Sequence, residues 1–410
     1  MERADFRIAR RVIVTKERVC YHVRITATSP LLLSNRPASE GSSVYQSLEY
    51  IPGTSIRGAW IEAYKRRNPS RSEKAYSHLI SEKFMDRYWF DDFSPEGRQR
   101  LPLTAITCKQ FPGFKDDEGH GHGVKDSLLL YYRTLKRCEA NEEFVETELT
   151  CQRCQSVYTS YGQWVNEEFD RPAQPLRKIQ SGHVAILPVT QTIVKGKLFF
   201  EQTLDIDQSF EGKIHVPVDD KAEFEEMMEW LKEHPLRVGA KRTSGYGEVK
   251  VMTYRESAEE HSPPLRERFY RFQERCREMG IIGAEEKAFS LTMLSDGVFV
   301  DRWFRFRADL TPELLTELTG VEFPGVKLVY RHVELRRVYG WNQKWNVALD
   351  EQIAVKAGSS YLYIVSGRES EDFWIEQLER LEQSRIGKRI HEGFGRLRVC
   401  DSFHVCTEEV

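Results

Sequence analysis

Four of the eight cysteines of this 410-residue chain fall between Cys108 and Cys154, in company with His120 and His122. Cys151 and Cys154 are two residues apart, a spacing that lets both thiolates face one tetrahedral ion. Zinc prefers soft sulfur and imidazole donors in a closed set of four, and such a site orders a small, loop-rich segment. The expected set is Cys108, His122, Cys151 and Cys154, with Cys138 or His120 as substitutes. A redox pair of the same spacing belongs at a helix start after a strand, whereas these cysteines lie among polar residues. No glutamate stands beside the set to act as a base, so the zinc is expected to be structural.

A second pattern occurs twice. Lys221 to Tyr254 reads KAEFEEMMEWLKEHPLRVGAKRTSGYGEVKVMTY, and Glu371 to Phe403 reads EDFWIEQLERLEQSRIGKRIHEGFGRLRVCDSF. Apolar residues at helical spacing come first, Phe224, Met227, Met228 and Leu231 against Phe373, Trp374, Leu378 and Leu381. A basic glycine-rich loop follows, then an alternating strand. Gly239, Gly245 and Gly247 align without a gap with Gly387, Gly393 and Gly395, and Tyr246 or Phe394 separates the last two of each copy. The loops also carry Lys241, Arg242 and Ser244 in one copy and Lys388, Arg389 and Arg396 in the other. Exposed amides beside such cations suit a phosphodiester backbone. The competing reading, a helix C-cap and turn, explains Gly239 or Gly387 alone but not the later Gly-aromatic-Gly. Each loop runs from helix to strand, the reverse of a dinucleotide or P-loop fingerprint.

Ser55, Arg57 and Gly58 follow a Pro52-Gly53 turn, and Ser55 is expected to cap a helix running through Arg67. A helix start offers amide donors and a positive dipole end to a phosphate, with Arg57 beside it; an ordinary capped helix with Arg57 in a surface ion pair fits equally. Arg336, Arg337, Tyr339, Trp341, Lys344 and Trp345 interleave aromatic and basic residues. Such a stretch can stack bases, but tryptophan at this density more often marks a contact with another subunit, which we favour. His391 and His78 lack an obvious partner, and no paired carboxylates, nucleophile elbow or phosphate loop occurs; no catalysis is expected.

These residues need elements to position them. Arg18 to Thr28 alternates as a strand, the Ser55 helix follows, and strands at His183 to Thr192 and Gly196 to Leu204 precede the Lys221 helix. In the second half, a strand at Ala288 to Leu294 leads to a helix at Pro312 to Leu318. Strands at Val326 to Val338 and Ile353 to Ile364 come next, then the Glu371 helix and a last strand. The order β-α-β-β-α-β in each half predicts an α+β protein of two tandem ferredoxin-like domains. Their expected extents are residues 1–255, with a Cys/His insert at about 101–180, and 287–410, joined by a charged linker at 256–286.

Composition sets the outer limits. Hydrophobic residues make up 40% and aromatics 11%, enough for a sizeable core and too much for a disordered chain. A net charge of −3, from 60 basic and 63 acidic side chains, requires any nucleic-acid site to be a local concentration of cations. The charged N-terminus and the lack of a long apolar run point away from a signal segment or a membrane span, and sparse cysteines suit a reducing compartment, so a cytoplasmic location is expected.

Duplicated ferredoxin-like units, each ending in helix, basic glycine-rich loop and strand, resemble the RAMP superfamily of CRISPR-associated proteins, and YIPGTSIRGAW (Tyr50 to Trp60) resembles its motif at the first helix. Together with LPLTAITCKQFPGF (Leu101 to Phe114), HGHGVKD and CQRC, the chain is similar over essentially its whole length to the tandem subunit of type III-D effectors, the Csx-ten family. The second half has no counterpart of IPGTSIRG, so the resemblance implies a different or absent contact there. It implies an RNA-binding subunit that holds the crRNA 5′ handle and caps a backbone filament. The implied partners are crRNA, a Cas-ten-type large subunit and backbone RAMP subunits, with target RNA met indirectly and no membrane. It also makes Gln191, Lys195 and Lys197 candidate contacts. Two other roles stay open: a Cas-six-like crRNA-processing endoribonuclease, and a subunit capping the 3′ end mainly through protein contacts.

Overall fold

Along the strand Arg18–Ala27, Tyr21, Val23, Ile25 and Ala27 point inward and are buried, while the residues between them are half-buried on the other face. The strand pairs antiparallel with Ser209–Pro217 on one side and Glu248–Glu256 on the other. Trp89–Phe90 pairs with the far edge of Ser209–Pro217. The helices Gly53–Arg67 and Lys221–Glu233 bury Ile56, Trp60, Phe224 and Met228 against the inward face, with the Trp60 and Phe224 rings stacked at 5.0 Å. The sheet order is last strand, first, third, second, which is the ferredoxin-like arrangement. The computed structural model describes residues 18–405, except 34–43, 70–71, 85–86, 116–119, 141–149, 163, 167–168, 170, 188–191, 257–262 and 343–346.

The expected middle strands of this half are corrected. Lys178–Ile186 and Ile193–Leu204 form a separate hairpin that adds Val44–Gln46 as a third strand, and the middle positions belong to Trp89–Phe90 and Ser209–Pro217. A two-residue strand carries no period to detect. Ser209–Pro217 places Glu211, Lys213 and His215 on its open face, so its alternation looks polar beside that of the hairpin.

The second half repeats the order. Lys287–Met293 lies between Ser360–Val365 and Leu397–Val399, with Val326–His332 outside Ser360–Val365. The two long strands expected here each divide: their outer parts, Leu335–Asn342 and Val347–Val355, leave the sheet as a hairpin. Thr311 and Ser370 cap the helices Pro312–Thr319 and Glu371–Ser384, accepting the N–H of Leu314 at 3.3 Å and of Phe373 at 3.2 Å. The helix face buries Trp374, Ile375, Leu378 and Leu381, leaving Phe373 only partly buried.

Both faces of this second sheet are covered. The segment 256–286 contains a 14-residue helix, Leu265–Glu278, whose Phe269, Phe272 and Cys276 join the second core. Its Gln273 side chain pairs with both backbone groups of Ala288, accepting that N–H at 3.0 Å. The insert contributes too: Leu128, Leu129 and Tyr132, on its helix Leu128–Glu139, belong to the same core.

The duplication extends into backbone geometry. Ala240 N–H donates to Leu32 and Gly247 N–H to Pro30, each at 2.9 Å; Lys388 N–H donates to Val298 at 2.9 Å and Gly395 N–H to Asp296 at 2.8 Å. Ser29 Oγ accepts from Glu248 N–H at 2.7 Å, and Ser295 Oγ from Arg396 N–H at 3.0 Å. Each glycine-rich loop is therefore strapped to the segment that leaves its own first strand. A Cβ on Gly239 would lie 2.5 Å from the Leu32 carbonyl, and one on Gly387 2.6 Å from that of Val298, so these glycines permit backbone contact. Among the described residues no helix is long and apolar enough to cross a membrane.

Candidate functional site

The insert is built on a three-stranded sheet with Ala105–Cys108 between Val124–Asp126 and Tyr158–Ser160. Cys108 ends the central strand. His122 arrives on a loop held by Phe111, whose carbonyl accepts the His122 N–H at 3.1 Å and whose ring lies 4.5 Å from the imidazole. Cys151 and Cys154 flank a turn closed by Gln155 N–H to Cys151 O at 2.7 Å and Cys151 N–H to Ser156 O at 2.8 Å. These elements bring Cys108, His122, Cys151 and Cys154 together, with their ligand atoms all within 4.8 Å of one another. Cys108 and Cys154 sulfurs are 3.4 Å apart, and His122 Nδ1 is 3.2 Å from Cys151 Sγ. A tetrahedral ion with bonds of about 2.0–2.3 Å spaces its ligands on the order of 3.3–3.8 Å, so the donors suit a metal in number and chemistry and lie close to the spacing it needs. Burial opposes ionisation of the Cys108 thiol, yet hydrogen bonds from the Phe111 amide and the other cysteines hold it below its ordinary value. The substitutes, Cys138 and His120, are both exposed and stand outside the cluster.

The first helix starts three residues earlier than expected. Pro52 is the N-cap and Ser55 lies inside the first turn, without a side-chain capping bond. The helix-start amide of Gly53 donates to Asp92 Oδ1 at 2.8 Å, so the chain's own carboxylate occupies part of the place a phosphate would take. Burial pushes the Asp92 carboxyl up to about 7, with the Gly53 amide opposing and Asp296 and Asp91 adding to the rise. Arg57 donates to Phe84 O at 3.0 Å and to Glu392 at 2.8 Å, while Gly58 is exposed with open space in front of it.

Glu392 belongs to the second glycine-rich loop, which lies between the two halves. It also accepts from Arg389 Nε at 2.6 Å, and Gly393, Phe394 and Gly395 are buried. A Cβ on Gly393 would meet the Phe90 carbonyl at 3.0 Å. Lys388 remains exposed. Beneath the loop, Asp91 is fully buried between Arg385 and Arg396, the latter at 3.0 Å, with His215 at 3.8 Å. Burial alone would raise the Asp91 carboxyl; the two guanidinium groups and the His215 hydrogen bond outweigh it and hold it far below the carboxylate range.

Glu392 gives this contact an acid limit. Burial again opposes ionisation, but the His391 hydrogen bond and the charges of Arg389 and Arg57 hold its carboxyl down at about 2, against an ordinary 4.5. A depressed carboxyl stabilises the fold above its unfolded value and loses that contribution as pH falls from about 4.5 to about 2. Over that window the two halves are expected to become easier to separate by denaturant, and Glu392→Gln should flatten the slope. A slope unchanged in the variant assigns the acid sensitivity to other groups.

The first loop has the same backbone and a different setting. Lys241 and Arg389 are both left-handed, at φ 54° and 61°, and each opens a short 3-10 turn closed by Gly245 or Gly393. Thr243, Ser244 and Gly245 are nevertheless exposed, with nothing within 4 Å of where a Gly245 Cβ would stand. Lys241 pairs with Glu201 and Arg242 with Glu62, at the flanks of this tip.

Several other candidates spread out. His78 is exposed on the helix Glu73–Leu79, and His391 sits in the interdomain loop 3.7 Å from Glu392. Arg336 turns inward to Asp296 at 3.2 Å and Tyr50 OH at 3.3 Å; Arg337 pairs with Glu351 at 3.0 Å. Gln191, Lys344 and Trp345 lie outside the described residues, as do the side chains of Lys195, Lys197 and Trp341. Sequence reasoning named Arg396 as a loop cation but missed its cluster with Asp91 and Arg385, because only the docking of the halves joins them.

Two ferredoxin-like units, each with a glycine-rich loop strapped to the exit of its first strand, define the class. The chain belongs to the RAMP superfamily, whose pattern matches residues 24–250. It is similar in structure to a chain of the type III-B Cmr-beta complex bound to cognate target RNA and AMPPnP (TM-score 0.36, 11% identity, 83% of this chain and 86% of that one). It is also similar to Cas6 in a product complex (0.38, 10%, 93% and 100%) and to Cmr4 (Cas7) of Pyrococcus furiosus (0.25, 15%, 58% and 100%). No curated protein matches the chain.

Proposed function

We propose that the chain is a non-catalytic, RNA-binding subunit of a type III-D CRISPR effector complex, of the Csx-ten kind, that holds the crRNA 5′ handle and caps the backbone filament. A Cas-ten-type large subunit and backbone RAMP subunits are its partners. Membership of the RAMP superfamily supports the class. The observation that carries the RNA contact is the first glycine-rich loop, whose tip at Thr243–Gly245 is solvent-facing while its twin is packed between the halves. A rigid tip without side-chain bulk at Gly245 lets a sugar-phosphate backbone approach closely, with Lys241 and Arg242 at its flanks. The Cys3His cluster holds a structural zinc: four protein donors close a tetrahedral shell and leave no position for a substrate.

Ser244→Glu tests the loop. Ser244 is exposed, so the substitution adds a charge at the tip without disturbing the core. Affinity for guide RNA at fixed salt is expected to fall about tenfold or more, since a carboxylate beside a phosphate replaces a favourable contact with a repulsion. Equal affinities for the two proteins, measured across a salt series, would remove the loop from the interface.

A further inference from the structure

The segment that leaves the first strand of the second half forms a tight hairpin closed by the Val300 and Phe306 bridge. At its tip, Trp303 and Phe304 are 65% and 77% exposed, the two most exposed large hydrophobic side chains among the described residues. Burial does not explain them. Nor is the tip slack: Asp301 Oδ1 accepts the N–H groups of Trp303 at 2.9 Å and Arg305 at 3.0 Å, and its other oxygen takes Arg305 Nε at 2.9 Å. Phe304 N–H donates to Asp301 O at 2.8 Å, which holds Phe304 at φ 59°. A phenylalanine in that region costs backbone energy, so the fold spends stability to turn two rings toward solvent.

The charge around the rings is one-sided. Arg302 lies 5.3 Å from the Trp303 ring centre and Lys388 lies 5.1 Å from that of Phe304. Arg305 and Arg307 add two more cations, 65% and 40% exposed, both paired with the 9% exposed Asp301, at 2.8 Å and 3.9 Å. Lys388 is the exposed lysine of the second glycine-rich loop, and its amide straps that loop to Val298 at the hairpin's base.

We propose that this hairpin is a base-stacking site for single-stranded RNA: Trp303 and Phe304 stack on unpaired bases, and Arg302, Arg305 and Lys388 meet the adjoining phosphates. A protein partner that covered bare aromatics would not need four surrounding cations, whereas rigid rings interleaved with arginine match how unpaired bases are held. The site rests on the RNA-binding reading above but is separate in position from the Ser244 loop. It also gives the second half a contact with RNA although that half's glycine-rich loop tip is buried.

The test uses the full chain with a 4-thiouridine-labelled single strand and a duplex RNA of equal length. Ultraviolet crosslinks mapped by mass spectrometry are expected on the peptide bearing Trp303 and Phe304, with the single strand only. Trp303→Ala with Phe304→Asn, the asparagine tolerating the left-handed backbone, should weaken single-strand binding about tenfold or more. Trp303→Phe should retain most of it. Ser244→Glu in the same assay keeps the two sites distinguishable: loss there with no loss in the hairpin variant leaves the loop standing and overturns the hairpin, and the reverse pattern does the opposite. Absence of crosslinks on the hairpin overturns it irrespective of how the variant folds. Loss of a copurifying effector subunit at unchanged RNA affinity makes it a protein-docking element instead.

Discussion

Asp91→Ala is expected to destabilise the junction of the two halves by about 3–5 kcal/mol, the usual cost of leaving a buried charge without its partner. The substitution removes the one carboxylate between Arg385, itself buried, and Arg396, and it empties the position beside His215. Arg385, at the end of the helix Glu371–Ser384, is buried and would keep its charge there without a partner, whereas Arg396, just after the last glycine of the second loop, is half-buried. Denaturant unfolding should report an earlier transition, and limited proteolysis should gain a cut between the halves. The paired replacement Asp91→Leu with Arg385→Met is expected to recover part of the loss, because apolar groups of similar size carry no desolvation cost. Asp91→Ala with the stability of the unaltered protein would mean that the halves do not dock through this contact in solution.

Cys151→Ser is expected to abolish metal binding and unfold the insert. Apparent binding free energies of structural zinc sites run to about 10–16 kcal/mol near neutral pH, and that energy is folding energy for the segment it orders. The insert has little else: its small apolar cluster comprises Leu101, Ala105, Phe114, Val124, Tyr161, Val165 and Phe169, joined by Phe403 from the C-terminal end of the second half. Mass spectrometry of the intact protein should find one zinc ion per chain, absent from the variant and removed by a strong chelator. Protease sensitivity should then appear between residues 101 and 180. Because Leu128, Leu129 and Tyr132 sit in the second core, the variant should also lower the melting temperature of that half, which a detached zinc knuckle would not. A metal-free native protein with an ordered insert would dispose of the zinc assignment.

Much of this was legible in the residues. The cluster of Cys108, His122, Cys151 and Cys154 was legible from chemistry and spacing, since cysteine and histidine in soft-donor combinations have few other uses. The ungapped glycine alignment of Gly239, Gly245 and Gly247 with Gly387, Gly393 and Gly395 carried the duplication, because all six positions have positive φ, and all but Gly245 also meet neighbouring backbone closely. Helical apolar spacing located Lys221–Glu233 and Glu371–Ser384.

Other features depended on tertiary contact. Period alone could not tell a sheet strand from a hairpin strand, so Ser209–Pro217 was passed over in favour of the Lys178–Ile186 hairpin. The segment 256–286 reads as a linker because it is charged and carries the Pro263-Pro264 pair, while in the structure Phe269, Phe272 and Cys276 cover the second sheet and even Arg268 is buried. Two loops with one motif and one backbone acquired opposite surroundings: the first remained at the surface, and the second was enclosed around Glu392, Arg57 and Arg389. Local patterns set what each segment can form, since backbone sterics and side-chain period act within a few residues. Which loop meets water and which meets protein is decided by how the halves dock, and that depends on charges such as Asp91 and Arg385, 294 residues apart in the chain.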